Sequence, residues 1–328
     1  MKEKIVPVGG KLWCLVSALL LLTAAGCSPS FIQKDTGTNI EVVTTIFPLS
    51  DIVEKLGAGR VKATALLLPG ASPHTYEPTV EQAKAVANAD LFIFVGAGLD
   101  DWITGLAEAE NIPTLEIMAH MGEWVLEYNL VHADEESDNE HAQGEEQESQ
   151  FRHHHQGSCD PHIWMDPVLV KEVIAPLITE KLTSADPESA EHFAASLEKY
   201  QAELEELHEE ILTVVGNFPK KRFISYHSAW NYFAHRYGLE EVAAVETFPG
   251  KEPSAKWLAE LIHLAGEQQI DVLFAEPQLS KKTTEIIARE IGGKVSILDP
   301  LGGKGVPGRE SYTDIIRYNL EIFRNALE

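Results

Sequence analysis

Residues 186–218 read DPESAEHFAASLEKYQAELEELHEEILTVVGNF. Phe193, Leu197, Tyr200, Leu204, Leu207, Ile211 and Val214 recur at spacings of three and four, so they share one stripe of a helix. Asp186 suits the capping position, Pro187 the first turn, and Gly216 stands near the end. About 29 residues rising ~1.5 Å each give a helix roughly 43 Å long, enough to cross two lobes. A coiled coil would show the same stripe, but this seam lasts only about four heptads. What lies on either side makes it a bridge.

Both flanks alternate strand-length apolar runs with helical patterns. Before it come IEVVTTIF (Ile40 to Phe47), VKATALLL (Val61 to Leu68), LFIFV (Leu91 to Val95) and TLEI (Thr114 to Ile117). After it come RFIS (Arg222 to Ser225), VLFA (Val272 to Ala275) and VSIL (Val295 to Leu298), interleaved with SAKWLAELIHLAGEQQ, TTEIIAREIG and DIIRYNLEIFRNAL. Continuously apolar runs, rather than alternating ones, suit parallel sheets covered on both faces. The expected fold class is therefore α/β, with two Rossmann-like βα lobes at 39–186 and 217–328 joined by one bridging helix at 187–216.

Two segments fall outside that frame. Residues 1–27 read as an export signal, in which Lys2, Lys4 and Lys11 flank or precede the apolar run LWCLVSALLLLTAA. The run is shorter than the ~20 residues a membrane-spanning helix needs, so no transmembrane anchor is expected. It ends in TAAGC, which resembles a lipobox with Ala24 in place of the usual Leu, and Cys27 becomes the expected lipidated N-terminus. Residues 28–38 then form a tether, and the protein is expected outside the cytoplasm, lipid-anchored to the cell membrane, or periplasmic in a host with two membranes. The second segment runs from 132 to 155. Its stretch HADEESDNEHAQGEEQESQ holds eight acidic residues and no Lys, Arg or large apolar side chain. It cannot bury enough surface to offset the entropy of ordering, so a disordered acidic loop is expected.

The chain carries 26 basic and 51 acidic residues, a net charge of −25. Loss of the leader removes three lysines and one glutamate and leaves a more acidic protein still. Such a surface repels nucleic acid and attracts cations. With Cys14 and Cys27 in the leader, only Cys159 remains, so no internal disulfide is available and the core alone must stabilise the fold. A monomer is expected.

Of the 13 histidines, most have an ordinary explanation. His192, His208 and His263 lie in helical patterns and read as solvated or half-buried face residues, while His120 and His235 have no supporting context. Three differ in setting. His74 sits in PGASPHTYEP, just past an apolar strand and held among Pro69, Gly70, Pro73 and Pro78. His162 sits in DPHIWMDP between two prolines and before a helix, and His227 in FISYHSAWNYFAHRYG directly after a strand. Asp299 joins them in SILDPLGG at the end of another. Ligands in open α/β sheets bind beyond the carboxyl ends of strands, where three of these four are placed. Three imidazoles and a carboxylate make a shell suited to Zn²⁺.

In order, SPHTYEP, DPHIWMDP, YHSAWNYFAHRYGL, FAEPQLS and LDPLG resemble the zinc/manganese-binding solute-binding lipoproteins of bacterial metal ABC importers, over essentially the whole mature chain. The resemblance implies two βα lobes joined by one long helix, with the metal in the cleft between them. It implies one tight Zn²⁺ held by His74, His162, His227 and Asp299, a membrane permease as partner, and no enzymatic activity. Members resembling manganese or iron binders usually carry Glu where His227 stands, so a third imidazole favours the zinc-binding branch, as does the acidic histidine-bearing loop. Glu276 in AEPQ is a candidate to accept a hydrogen bond from an imidazole and orient it. Cys159 reads as a solvent-facing thiol at the end of the loop. His132, His141, His153, His154 and His155 belong to that loop and should bind metal only weakly.

Other functions fit less well. A manganese or iron importer component, or a metal-binding surface adhesin, shares the same motifs. A secreted zinc hydrolase would need an open zinc position and a general base, but no HExxH or HxxEH occurs, and HEEIL at His208–Leu212 lacks the second histidine. VGAGLDDW has Asp101 where a dinucleotide loop needs glycine, and GGKGVPG matches no phosphate loop.

Overall fold

The computed structural model describes residues 39–127, 159–246, 250, 252–278 and 281–328. The leader, the tether, Cys27 and the five loop histidines lie outside the described residues.

Strands β1 (Ile40–Thr44), β2 (Val61–Ala65), β3 (Leu91–Phe94) and β4 (Thr114–Glu116) form one parallel sheet in the order β2-β1-β3-β4. Strands β5 (Arg222–His227), β6 (Glu240–Glu246), β7 (Val272–Ala275) and β8 (Lys294–Ile297) form a second parallel sheet in the order β6-β5-β7-β8. The topology is the same twice. In each sheet the order reverses between the first strand and the third, and that switch point opens a crevice at the carboxyl ends.

The apolar content of each strand follows its place. β3 (LFIF) and β7 (VLFA) are interior and buried at every position. β2 lies at an edge, and Lys62 and Thr64 on it are exposed. β6 was not expected from the sequence, which showed only three strands in the second half. It begins with Glu240 and Glu241 and carries the small Ala243 and Ala244, so it lacks a strong apolar run. Glu241 is nevertheless buried, because the hydroxyls of Ser225 and Ser228 donate to its carboxylate. Tertiary partners compensate what local composition disfavours.

The bridging helix runs Ala190–Gly216, after a single 3-10 turn at Pro187–Ser189. Asp186 does not cap it. Pro187 opens the 3-10 turn instead, the helix starts three residues later with Ser189 at its N-cap, and Asp186 accepts from the Ser189 hydroxyl. Phe193, Tyr200, Leu204, Leu207, Ile211 and Val215 are its buried face. Val215 replaces the expected Val214, which is only partly buried, a shift of one residue within the same stripe. One core runs through this helix, from Ile40, Val42 and Ile93 in the first half to Phe223, Phe274 and Phe323 in the second. Burial of apolar area at about 25 cal/mol per Å² is what fastens the halves to the helix.

Candidate metal centre

Each of the three singled-out histidines is locked by its own local device. His74 lies in the 3-10 turn Pro73–Thr75, whose Pro73 carbonyl accepts from the Trp102 indole at 2.8 Å. His162 precedes the 3-10 turn Ile163–Met165 and is 1% exposed. Asp160, two residues back, accepts from both the His162 backbone N–H at 2.9 Å and its ring Nδ1 at 2.7 Å. His227 is the last residue of β5, so the strand extends two residues beyond the expected Ser225 and carries the imidazole itself. Its Nδ1 lies 3.1 Å from Glu276 Oε1, just past β7, and Gln278 donates to the other Glu276 oxygen at 2.6 Å. His227 and Glu276 thus sit at the switch point between β5 and β7.

These devices converge. His74 Nε2 is 3.3 Å from His162 Nε2 and 3.1 Å from His227 Nε2, and one nitrogen of each ring lies within 4.8 Å of the others. Donation from Nδ1 to Asp160 and to Glu276 fixes the tautomer of two rings and leaves their Nε2 lone pairs pointing inward. Facing lone pairs repel unless something positive stands between them. Tetrahedral zinc with bonds of 2.0–2.1 Å would set its nitrogens about 3.3 Å apart, close to the spacing seen here.

The electrostatics agree. Burial drives the His74 and His162 pKa well below the imidazole range, and the neighbouring His227 adds to it, so both rings stay neutral and able to ligate. Burial acts downward on His227 too, but the charge and hydrogen bond of Glu276 outweigh it and raise the net value. Burial pushes Asp160 up to about 7 and raises Glu276. Two enclosed carboxylates behind the rings are poised to balance a divalent ion.

Asp299, expected as a fourth ligand, does not join this cluster. Its Oδ1 accepts from the Leu301 and Gly302 backbone N–H groups at 3.0 Å each, and its Oδ2 from Arg309 Nη1 at 2.8 Å. Both oxygens are already engaged. The next residues, Pro300 and Leu301, do reach the cavity wall beside Pro73, Trp164, Glu246 and Gly250. Pro300 O accepts from Trp164 Nε1 at 2.8 Å, closing that wall across the cleft. The glycine pair of LDPLGG is required there: a Cβ on Gly303 would stand 2.6 Å from Pro69 Cγ, and Gly302 has a φ of 59°.

Cys159 is also placed differently from expectation. It is half-buried against the core and pairs with Glu127 in an isolated antiparallel bridge, apart from the imidazole cluster. The remaining described histidines lie elsewhere: His192 near Ala58 O at 3.3 Å, His208 near Tyr237 OH at 3.2 Å, His263 beside Glu267, and His120 and His235 exposed. Sequence reasoning assigned no role to Asp160, whose signal was its place two residues before His162 in CDPH. It also assigned none to Arg309, for which there was no local signal.

The family described as ZnuA, zinc-uptake complex component A periplasmic, matches residues 42–326. The chain belongs to that family. It is 29% identical over 322 residues to the high-affinity zinc uptake system protein ZnuA of Bacillus subtilis (strain 168), covering 96% of this chain and 97% of the relative. It is 28% identical over 290 residues to the zinc-binding protein AdcA of Streptococcus pyogenes serotype M3, covering 87% of this chain but 55% of that one. The chain therefore spans about half the length of that relative. Among solved structures, a ZnuA crystal structure superposes with a TM-score of 0.73 at 30% identity, over 88% of this chain and 100% of that one. A zinc-bound ZnuA deletion mutant gives 0.72 at 30% identity, over 88% and 98%. Two α/β halves with parallel sheets and a long helix between them are the family's architecture.

Proposed function

We propose that this protein captures zinc outside the cytoplasm and delivers it to the membrane permease of an ABC importer. The observation that carries the reading is the convergence of three imidazoles, two buried and one half-buried, at tetrahedral spacing, with the two buried ones backed by carboxylates. Membership of the zinc-uptake family and the names of the relatives support it. His74, His162 and His227 are the proposed ligands, with Asp160 and Glu276 orienting two of them and water completing the coordination. Borderline-soft imidazole nitrogens favour zinc over manganese, which prefers oxygen.

Residues 1–27 serve in this reading as an export leader ending at Cys27, and 28–38 as a tether; a pneumococcal relative, 26% identical, is named a zinc-binding lipoprotein. Among the described residues no helix is long and apolar enough to cross a membrane. His132, His141, His153, His154 and His155 in residues 132–155 serve in this reading as additional weak zinc sites. Isothermal titration of chelator-stripped protein tests the proposal. One tight Zn²⁺ per chain and weaker Mn²⁺ are expected, with no turnover of ester, peptide or phosphate substrates. Tighter manganese than zinc, or no tight ion, would overturn it.

A further inference from the structure

We infer that the junction of three helices at which the two halves meet is a loaded hinge, which eases their parting when the ion leaves. The inference rests on the zinc-binding reading above. The first helix, Phe47–Gly57, belongs to the first half and the last helix, Tyr312–Leu327, to the second, and the bridging helix packs against both. Asp51 Oδ2 on the first helix accepts from the Tyr312 backbone N–H at 2.8 Å. That N–H opens the last helix and has no partner within it, since the Ser311 cap serves Asp314. The Tyr312 hydroxyl donates to Trp164 O at 2.8 Å, back in the first half. Glu203 of the bridging helix accepts from the Thr313 hydroxyl at 3.2 Å and lies 3.9 Å from Lys55 Nζ. One residue, Tyr312, therefore carries two of the bonds between the halves.

Two polar groups at this junction are poorly served by the closed form. Tyr200 stands one turn before Glu203 on the bridging helix, is 2% exposed, and its hydroxyl has no hydrogen-bond partner among the described residues. An unpaired buried hydroxyl costs free energy that contact with water would return. Asp51 is the second group. Around it stand Glu54 and Lys55 of its own helix, Tyr200 and Glu203 of the bridging helix, and the Tyr312 N–H. Burial pushes its carboxyl up to about 6 despite the Tyr312 bond and Lys55, so the ionised form is held at a cost near neutral pH. Parting of the helices would wet both groups. The closed form is fastened by the apolar core and by Tyr312, and opposed by two groups at the same point.

Melting of the zinc-free chain and zinc release to excess chelator, both at pH 7.5, test the hinge. Tyr200→Phe removes the unpaired hydroxyl; Asp51→Asn removes the charge but keeps an acceptor for Tyr312. Each should raise the melting temperature by a few degrees and slow zinc release about threefold or more, with the double variant slower than either. Ordinary packing or capping roles predict the reverse, a lower melting temperature with unchanged or faster release. Acidity separates the two groups. A carboxyl with a raised folded pKa makes folding less favourable as pH climbs from about 4 to about 6. The Asp51→Asn gain should therefore be full above about pH 6 and fade toward about pH 4, while the Tyr200→Phe gain stays level. A lower melting temperature or failure to fold in either variant overturns the inference, as does zinc release at the wild-type rate in both. Wild-type chain that binds no zinc overturns the zinc reading itself, and the inference with it.

Discussion

In the first half of the molecule His74 and His162 stand on loops, beside Pro73 and Pro161; in the second, His227 ends a strand of the sheet. The sheets have the same strand order, so topology does not explain the difference. A strand end inherits its position from neighbouring strands, whereas a loop must be fixed by its own contacts. Hence Asp160 takes two donors from the one residue His162, while Glu276 reaches His227 across the sheet from β7. The lesson is that a metal centre shared by two repeats is rigidified locally on one side and by the sheet on the other.

The largest effect should come from removing an imidazole. His162→Ala and His227→Ala should each weaken zinc more than a hundredfold by titration, since loss of a ligand exceeds the 10–100-fold typical of losing its supporting partner. A much smaller loss on one side would show that the two halves do not share the ion. Next come the partners: Asp160→Asn and Glu276→Gln should each cost about 10–100-fold. If the loop side depends more on local contacts, Asp160→Asn will be the worse of the two.

Proton competition sharpens the contrast. His227 has the raised pKa, while His74 and His162 are held low, so as pH falls the first ring to protonate is on the strand side. A protonated ring cannot ligate, so as pH falls zinc affinity should begin to decline already above the ordinary imidazole range. Glu276 supplies the upward shift, so Glu276→Gln should move that decline to lower pH; titrations from pH 7.5 to about 5 check the midpoint. A midpoint that stays put would mean that Glu276 does not tune the ring. The smallest effects belong outside the centre. Trp164→Phe removes the indole donor to Pro300 and should cost at most about 1 kcal/mol, a few-fold in affinity, while His192→Ala and His263→Ala should change nothing measurable.

Periodicity and punctuation made much of this legible in the sequence. The stripe from Phe193 to Ile211 identified the long helix, and seven of eight strands were marked by strand-length runs rich in apolar residues. The prolines around His74 and His162 marked rigid loops, His74 and His227 were placed just after strands, and these three imidazoles do meet. β6 was hidden because its buried Glu241 depends on hydroxyls from Ser225 on β5 and Ser228 just past it. Asp299 looked like a ligand from its place after a strand, but it faces Arg309.

Sequence alone determined every strand but β6, the long helix and the chemistry on offer, because helix stripes, strand runs and turn residues act over a few neighbours. Tertiary structure decided which groups face which. His74 meets His162 across 88 residues of chain and His227 across 153, while Glu276 lies 49 residues from the ring it orients. A carboxylate's role depends on which cation or donor reaches it first, and that is set by packing. Asp160 was drawn to an imidazole and Asp299 to a guanidinium, although both are aspartates followed by proline next to the same cleft.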